Sequence, residues 1–440
     1  MTLHPMQHWL RSADPVLRTG RVRKILPTHI EADGPGVALG TLCEIEAVSQ
    51  ASACSFRAEV VRIDRDCITL TPLEEGLSTF AGALVTACGH STMVAVGEPF
   101  LGRVVDALGR PVDGAGTIRS GHSALLHGSS VSPLDRNSPP DVLETGVRAI
   151  DGLLTLGRGQ RVGIFAASGV GKTSLLTQIA HQVRADVTVI CLVGERGREV
   201  EAIWNHGLDV GARAKTILVA ATSEQSASLR VRAGHYALAQ AEYWRARGKH
   251  VLLLLDSVTR LAMAMREIGL AAGEPPTVRA YTPNVFATIP KLVERCGALK
   301  SGGAITAIMT VLSENDEVED PVCELMKSLL DGHIVLSRAL AEQGHFPAID
   351  VPRSVSRQAE DLVRPAHRGL AFQVLEWLTK HESSRTLIDT GLYVKGSNDI
   401  IDQSIERYPH IVKFLKQDRD DRSSIISTNG ALARLVERKN

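Results

Sequence analysis

Aromatic side chains are scarce, at 4% of 440 residues, which leaves few platforms for stacking bases. Neither sign of charge is in excess: Lys plus Arg and Asp plus Glu each number 49. Proteins whose main task is gripping nucleic acid usually carry a basic excess, so the balance argues against one. Long apolar runs are also missing. The longest aliphatic stretch, Val251 to Leu255, falls far short of the roughly twenty residues a membrane helix needs. The seven cysteines include no CxxC pair and no Cys/His cluster at zinc-ligand spacing, and they read as reduced thiols filling cores. The opening residues lack the apolar segment of a secretory signal. Together these absences predict a soluble, cytoplasmic protein.

What is present is ordinary globular material, 44% apolar and 22% charged, in a length that allows about three domains. From about Gly20 to Val96, short β-type runs such as Glu59 to Ile63 and Cys67 to Leu70 alternate with turn signals such as Asp33-Gly34-Pro35-Gly36. That pattern predicts a small β-barrel or sandwich. A Gly/Pro-punctuated connector follows. Between Thr145 and Arg364, apolar runs at Val162–Ala166, Val187–Val193, Ile217–Ala220, Val251–Leu255 and Ile305–Val311 alternate with helical segments. The alternation predicts an α/β domain with a largely parallel sheet. After Pro365, Leu370, Val374, Leu375 and Leu378 share one helical face, and Ile401, Ile405, Ile411, Phe414 and Leu415 suggest later helices. The expected domains are 1–96, 97–365 and 366–440.

The strongest chemical signal is the segment Gly163 to Ser174, where an apolar strand enters the loop Ala166-Ala167-Ser168-Gly169-Val170-Gly171 and Lys172-Thr173-Ser174 open a helix. Backbone N–H groups of such a loop surround phosphates, and the helix N-terminus adds favourable partial charge. Lysine then reaches the outer phosphates and the threonine hydroxyl ligates magnesium. The first glycine of the GxxxxGK[ST] pattern is Ala166 here. A second element is Asp256, ending the Val251–Leu255 strand, where a carboxylate supports magnesium through water. A third is Glu195 beside Arg196, after Val187–Val193. A glutamate there could polarise the attacking water in ATP hydrolysis, although spacing alone favours a solvated charged loop.

Several further motifs carry a family resemblance: Thr145-Gly146-Val147-Arg148-Ala149-Ile150-Asp151-Gly152, Gly194-Glu195-Arg196-Gly197-Arg198-Glu199, Asp256-Ser257-Val258-Thr259-Arg260 and Gly344-His345-Phe346-Pro347-Ala348-Ile349-Asp350. With Ser354-Val355-Ser356-Arg357 they resemble the ATPase of type III protein secretion, found in injectisomes and flagellar export and related to rotary ATP synthase catalytic subunits. The resemblance implies an N-terminal β-barrel, a central P-loop NTPase (RecA-like) domain and a C-terminal helical domain. It implies that ATP and Mg2+ are bound, with Lys172 and Thr173 on the β/γ-phosphates and the ion, and Asp256 supporting that ion. Glu195 would act on the lytic water, and Phe346 would lie beside the adenine, where relatives usually carry tyrosine. Arg357 would be an arginine finger reaching a neighbouring subunit's nucleotide in a homohexamer. Implied partners are a stator-like regulator, a central stalk protein, the export gate and chaperone–substrate complexes, with no nucleic acid and at most a peripheral contact with the inner membrane. The implied task is releasing export substrates from chaperones and helping to unfold them.

Departures from the family pattern fall at Ala167, Ser226, Ala280 and Pro352-Arg353, and they concern loop geometry. A rotary synthase subunit would carry an acidic DELSEED-like segment, which is not visible. A hexameric RNA translocase would carry a basic, aromatic-bearing N-terminal domain, whereas Phe56 and Phe80 are the only aromatics from 20 to 96. The arm Met1 to Ile25 has five basic residues against one acidic, with Trp9 and Leu10 as an apolar patch. It fits a regulator contact, a weak membrane contact or a solvated terminus.

Overall fold

The computed structural model describes residues 17–47, 54–74, 78–88, 92–129, 131–138, 141–313 and 320–437. Most of the basic arm, including Trp9 and Leu10, lies outside the described residues. Six antiparallel strands, Thr19–Ile25, Ile30–Asp33, Leu42–Ala47, Cys54–Ile63, Ile68–Pro72 and Leu84–Ala87, close into a barrel. Closure decides between the two β architectures the sequence allowed: Thr19–Ile25 pairs with both Ile30–Asp33 and Leu84–Ala87, so no edge is left unpaired. Alternation fills the interior. Cys43, Ile45 and Ala47 point inward while Glu44 and Glu46 face out, and Phe56, Val60 and Leu70 complete the packing.

The central sheet runs, edge to edge, Ile349–Ser356, Gly332–Leu336, Arg161–Ala166, Ala304–Leu312, His250–Asp256, Val187–Glu195, Thr216–Thr222 and Arg103–Val105. Every neighbouring pair along that path is parallel except the first. Helices cover both faces, which is why strands such as His250–Asp256 are buried throughout and read as unbroken apolar runs. The connector, where the sequence showed mainly turn signals, supplies the edge strand Arg103–Val105. Asp113 from its Gly-Arg-Pro-Val-Asp-Gly turn fixes that strand by accepting from Arg103 Nε at 2.7 Å and from the Val104 N–H at 3.0 Å.

Three C-terminal helices, Pro365–Asp389, Asp399–Leu415 and Ile425–Glu437, bury Val374, Trp377, Ile411, Phe414 and Leu432 against Ile150 and Leu153 of the central domain. Among the described residues, no helix is long and apolar enough to cross a membrane. The thiols fit the core reading only in part: Cys43, Cys191, Cys296 and Cys323 are buried, Cys54 and Cys67 are half-buried and Cys88 is exposed.

Three of the unusual loop residues have distinct local settings. Ser226 caps the helix Ala227–Arg245 by accepting from the Leu229 N–H, and its hydroxyl donates to Leu73 O at 3.1 Å. Ala280 sits at φ 59°, in the left-handed region that favours glycine. Pro352 falls on the edge strand where pairing with Gly332–Leu336 shifts register, a position that tolerates a missing N–H donor.

Candidate active site

The phosphate loop begins where the strand Arg161–Ala166 ends and finishes at the helix Lys172–Gln182. Gly169 and Gly171 hold φ of 82° and 97°, so a side chain at either would be strained. No side chain caps the helix at Gly171. Its first N–H groups are therefore available to an anion, which the helix dipole also favours.

The strand Ala304–Leu312 lies between the phosphate-loop strand and the strand that ends in Asp256. This arrangement brings Lys172 Nζ to 2.6 Å from Asp256 Oδ1 and 3.7 Å from Glu195 Oε1. Both carboxylates are buried, Asp256 at 2% exposure and Glu195 at 4%. Glu195 reaches this place through a break in regularity. Its strand shifts register against Thr216–Thr222 between Val193 and Glu195, and Gly194 turns at φ 68°. Arg260 Nε lies 3.1 Å from Glu195 Oε1, as an ion pair without hydrogen-bond alignment. Glu195 Oε1 thus accepts no hydrogen bond from the described residues.

Burial, and then the negative charge of Asp256, push the Glu195 carboxyl above its ordinary range, while Lys172 and Arg260 oppose the rise. A buried carboxylate with an unused acceptor and raised basicity is suited to holding a water and taking its proton. The donor set also fits a hard divalent cation: the Thr173 hydroxyl and the Asp256 carboxylate are oxygen donors, one able to reach the ion directly and the other through water, and magnesium usually completes its shell with substrate phosphates and water.

A cleft of about 870 Å³ opens beside Gly171 and Ser174, lined by Gln178, Phe346, Pro409, Val412 and Lys413. Phe346 stands at its rim, 49% exposed, with its ring near Gly171. The wall opposite the loop comes from the C-terminal region. Gln417 N–H donates to Phe346 O at 2.9 Å and the Gln417 amide to Gly146 O at 2.7 Å. Arg148 donates to Phe414 O at 2.8 Å. A cleft that adjoins the phosphate loop and mixes apolar walls (Phe346, Pro409, Val412) with polar groups suits a nucleotide base.

Lys172, Glu195 and Asp256 therefore meet in one cluster, with Thr173 and Ser174 at the start of the adjoining helix and Phe346 along the cleft. Arg196 is exposed at the start of the short helix Gly197–Ala202 and makes none of the cluster's contacts. Arg357 is also exposed and lies elsewhere, with its guanidinium donating to Lys327 O at 3.0 Å. Sequence reasoning gave no role to Arg260, which sat in a quoted motif, nor to Thr310, whose hydroxyl donates to Asp256 Oδ1 at 2.6 Å. It also missed the C-terminal wall of the cleft.

The chain matches the nucleotide-binding domain of the ATP synthase alpha/beta family over residues 146–356 and the T3SS EscN ATPase C-terminal domain over residues 363–434. It is 43% identical over 427 residues to the flagellum-specific ATP synthase of Bacillus subtilis (strain 168), covering 97% of each chain. The assembled ATPase EscN of the enteropathogenic E. coli type III secretion system superposes with a TM-score of 0.90 at 39% identity, covering 95% of this chain and 100% of that one. EscN in complex with its central stalk EscO superposes with a TM-score of 0.86 at 38% identity, with the same coverage.

Proposed function

The chain belongs to the type III secretion and flagellar export ATPases of the ATP synthase alpha/beta family, and from that premise we propose how its residues divide the work of ATP hydrolysis. The backbone of Ala166 to Ser174 cradles the phosphates, and Lys172 leaves Asp256 for the β/γ-phosphates when they arrive. Thr173 and Asp256 hold Mg2+, which when bound neutralises phosphate charge and polarises the transferring group. Glu195 orients a water and accepts its proton as the water oxygen bonds to the γ-phosphorus and the bridging bond to ADP breaks. Phe346 lies against the adenine with one aromatic face. The observation that carries this reading is the buried Lys172–Asp256–Glu195 cluster at the mouth of the phosphate loop.

In this reading the site is shared within a homohexamer, and Arg357 serves the nucleotide of a neighbouring subunit. Its exposure and its bond to Lys327 O, with no contact to the chain's own cluster among the described residues, support that role, as does the assembled state of EscN. Hydrolysis energises export by releasing substrates from chaperones and helping to unfold them at the cytoplasmic face of the gate. A central stalk protein occupies the ring, as EscO accompanies EscN, and a stator-like regulator meets the N-terminal arm.

A mixing experiment tests the shared site. Arg357→Ala subunits keep a sound phosphate loop, and Lys172→Ala subunits keep a sound finger. Neither turns over alone, because a trans finger contributes about 10³–10⁵ in rate, roughly 4–7 kcal/mol. Mixed rings contain interfaces that pair the two intact halves, and part of the ATPase activity returns. No recovery in rings shown to be mixed, or near-normal turnover by Arg357→Ala alone, defeats the assignment.

A further inference from the structure

Thr310 lies on the strand between the one that feeds the phosphate loop and the one that ends in Asp256. Its register is fixed on both sides: Thr310 is opposite Ile164, and Met309 is opposite Leu255, so Thr310 stands beside Asp256. Side chains of adjacent residues across a sheet point to the same face. The hydroxyl accordingly meets Asp256 Oδ1 at 2.6 Å, with Thr310 wholly buried. Lys172 Nζ shares the same oxygen, also at 2.6 Å. Both donors use Oδ1, and Oδ2 accepts no hydrogen bond among the described residues.

These two donors cannot be equivalent during turnover. Lys172 is a flexible cation at a helix start that phosphates would draw away. Thr310 is β-branched, buried in the sheet and restricted at χ1, so it stays in place. We infer that Thr310 is a positioning residue that holds Asp256 by Oδ1 once Lys172 has moved to phosphate, keeping Oδ2 turned toward the hydrated magnesium. This inference rests on the proposed role of Asp256 as the support of that ion. Partners that orient a metal-supporting carboxylate typically contribute tenfold or more to metal affinity.

The test measures ADP binding to the full chain in two ways, titrated with Mg2+ and in a chelator. Thr310→Val removes the hydroxyl and keeps the shape; Thr310→Ser keeps the hydroxyl. Thr310→Val is expected to raise the Mg2+ concentration at half-maximal strengthening of ADP binding by about tenfold or more. Affinity in the chelator stays near wild type, and Thr310→Ser restores the Mg2+ response. Thr310→Ala provides the same comparison should Thr310→Val fail to fold. A wild-type Mg2+ response without the hydroxyl, or an equal loss of affinity in the chelator, overturns the inference. Asp256→Asn separates the two claims. If it leaves the Mg2+ response intact, the role given to Asp256 fails. If it abolishes the response while Thr310→Val does not shift it, the role given to Thr310 fails alone.

Discussion

At the scale of single residues, Glu195 has an environment that makes a pH prediction. A general base works only when ionised, and burial together with Asp256 raises its carboxyl above the ordinary 4.5. Turnover at saturating ATP should therefore fall on acidification at a pH above that value, and Glu195→Ala should remove the acidic limb along with about 10²–10⁴ of the rate. Nucleotide affinity should change little, because the proposed mechanism gives ground-state binding to Lys172 and the loop backbone. Rate profiles against pH, with affinities measured alongside, check both parts. A near-normal rate in Glu195→Ala, or an acidic limb at or below 4.5, refutes the role. Lys172 and Asp256 were legible in the sequence because a phosphate loop and an apolar strand ending in aspartate are local patterns. Thr310 was not legible: its bond to Asp256 joins residues 54 apart and exists only once two strands are placed side by side. The role proposed for Arg357 rests on resemblance alone, since no nearby spacing singles that arginine out.

At the scale of elements, the end of the Val187–Glu195 strand is where geometry departs most usefully from regularity. Continued pleating would not bring both Val193 and Glu195 to their observed places, and the register shift at Gly194 resolves this. A Cβ at Gly194 would meet the Arg260 side chain at 3.0 Å, at a φ of 68° that other residues rarely adopt. Gly194→Ala is expected to cost about 1–2 kcal/mol of backbone strain and to lower turnover by displacing Glu195 and Arg260. ADP affinity should hold. Steady-state kinetics and ADP titration check this, and an unchanged rate would mean that the turn does not set the position of Glu195. All five central apolar runs named from sequence are strands. Gly332–Leu336, Ile349–Ser356 and Arg103–Val105 were missed. Each is short or near an edge, with half-exposed or exposed residues that interrupt the apolar signal. The apolar positions from Ile401 to Leu415 that suggest later helices fall on one helix, Asp399–Leu415, which continues through Pro409.

At the scale of the whole molecule, barrel and central domain meet around a cavity of about 730 Å³ where Glu59 of the barrel faces Arg232 of the helix Ala227–Arg245. Burial pushes the Glu59 carboxyl up to about 7 from 4.5, with Arg232 opposing. Below 4.5 both folded and unfolded chains hold the proton, and the group is neutral in its effect on stability. Between 4.5 and 7 the unfolded chain releases it first, so the native state loses stability as pH rises, and above about 7 the loss is complete. Relative to Glu59→Gln, the wild-type melting temperature should fall across that window and stay offset above it. A difference that is flat with pH rejects this account of the junction. The other junction borders the cleft proposed for nucleotide. One wall of its cleft belongs to the loop at Gly171 and the other to the C-terminal region, strapped down through Gln417. Thermodynamic linkage then runs both ways. Any protein that binds the C-terminal helices and tilts that wall weakens or strengthens nucleotide by some factor, and nucleotide must alter that protein's affinity by the same factor. For such a protein the occupancy of the cleft would itself be a signal, read in the grip of the helices on what they hold.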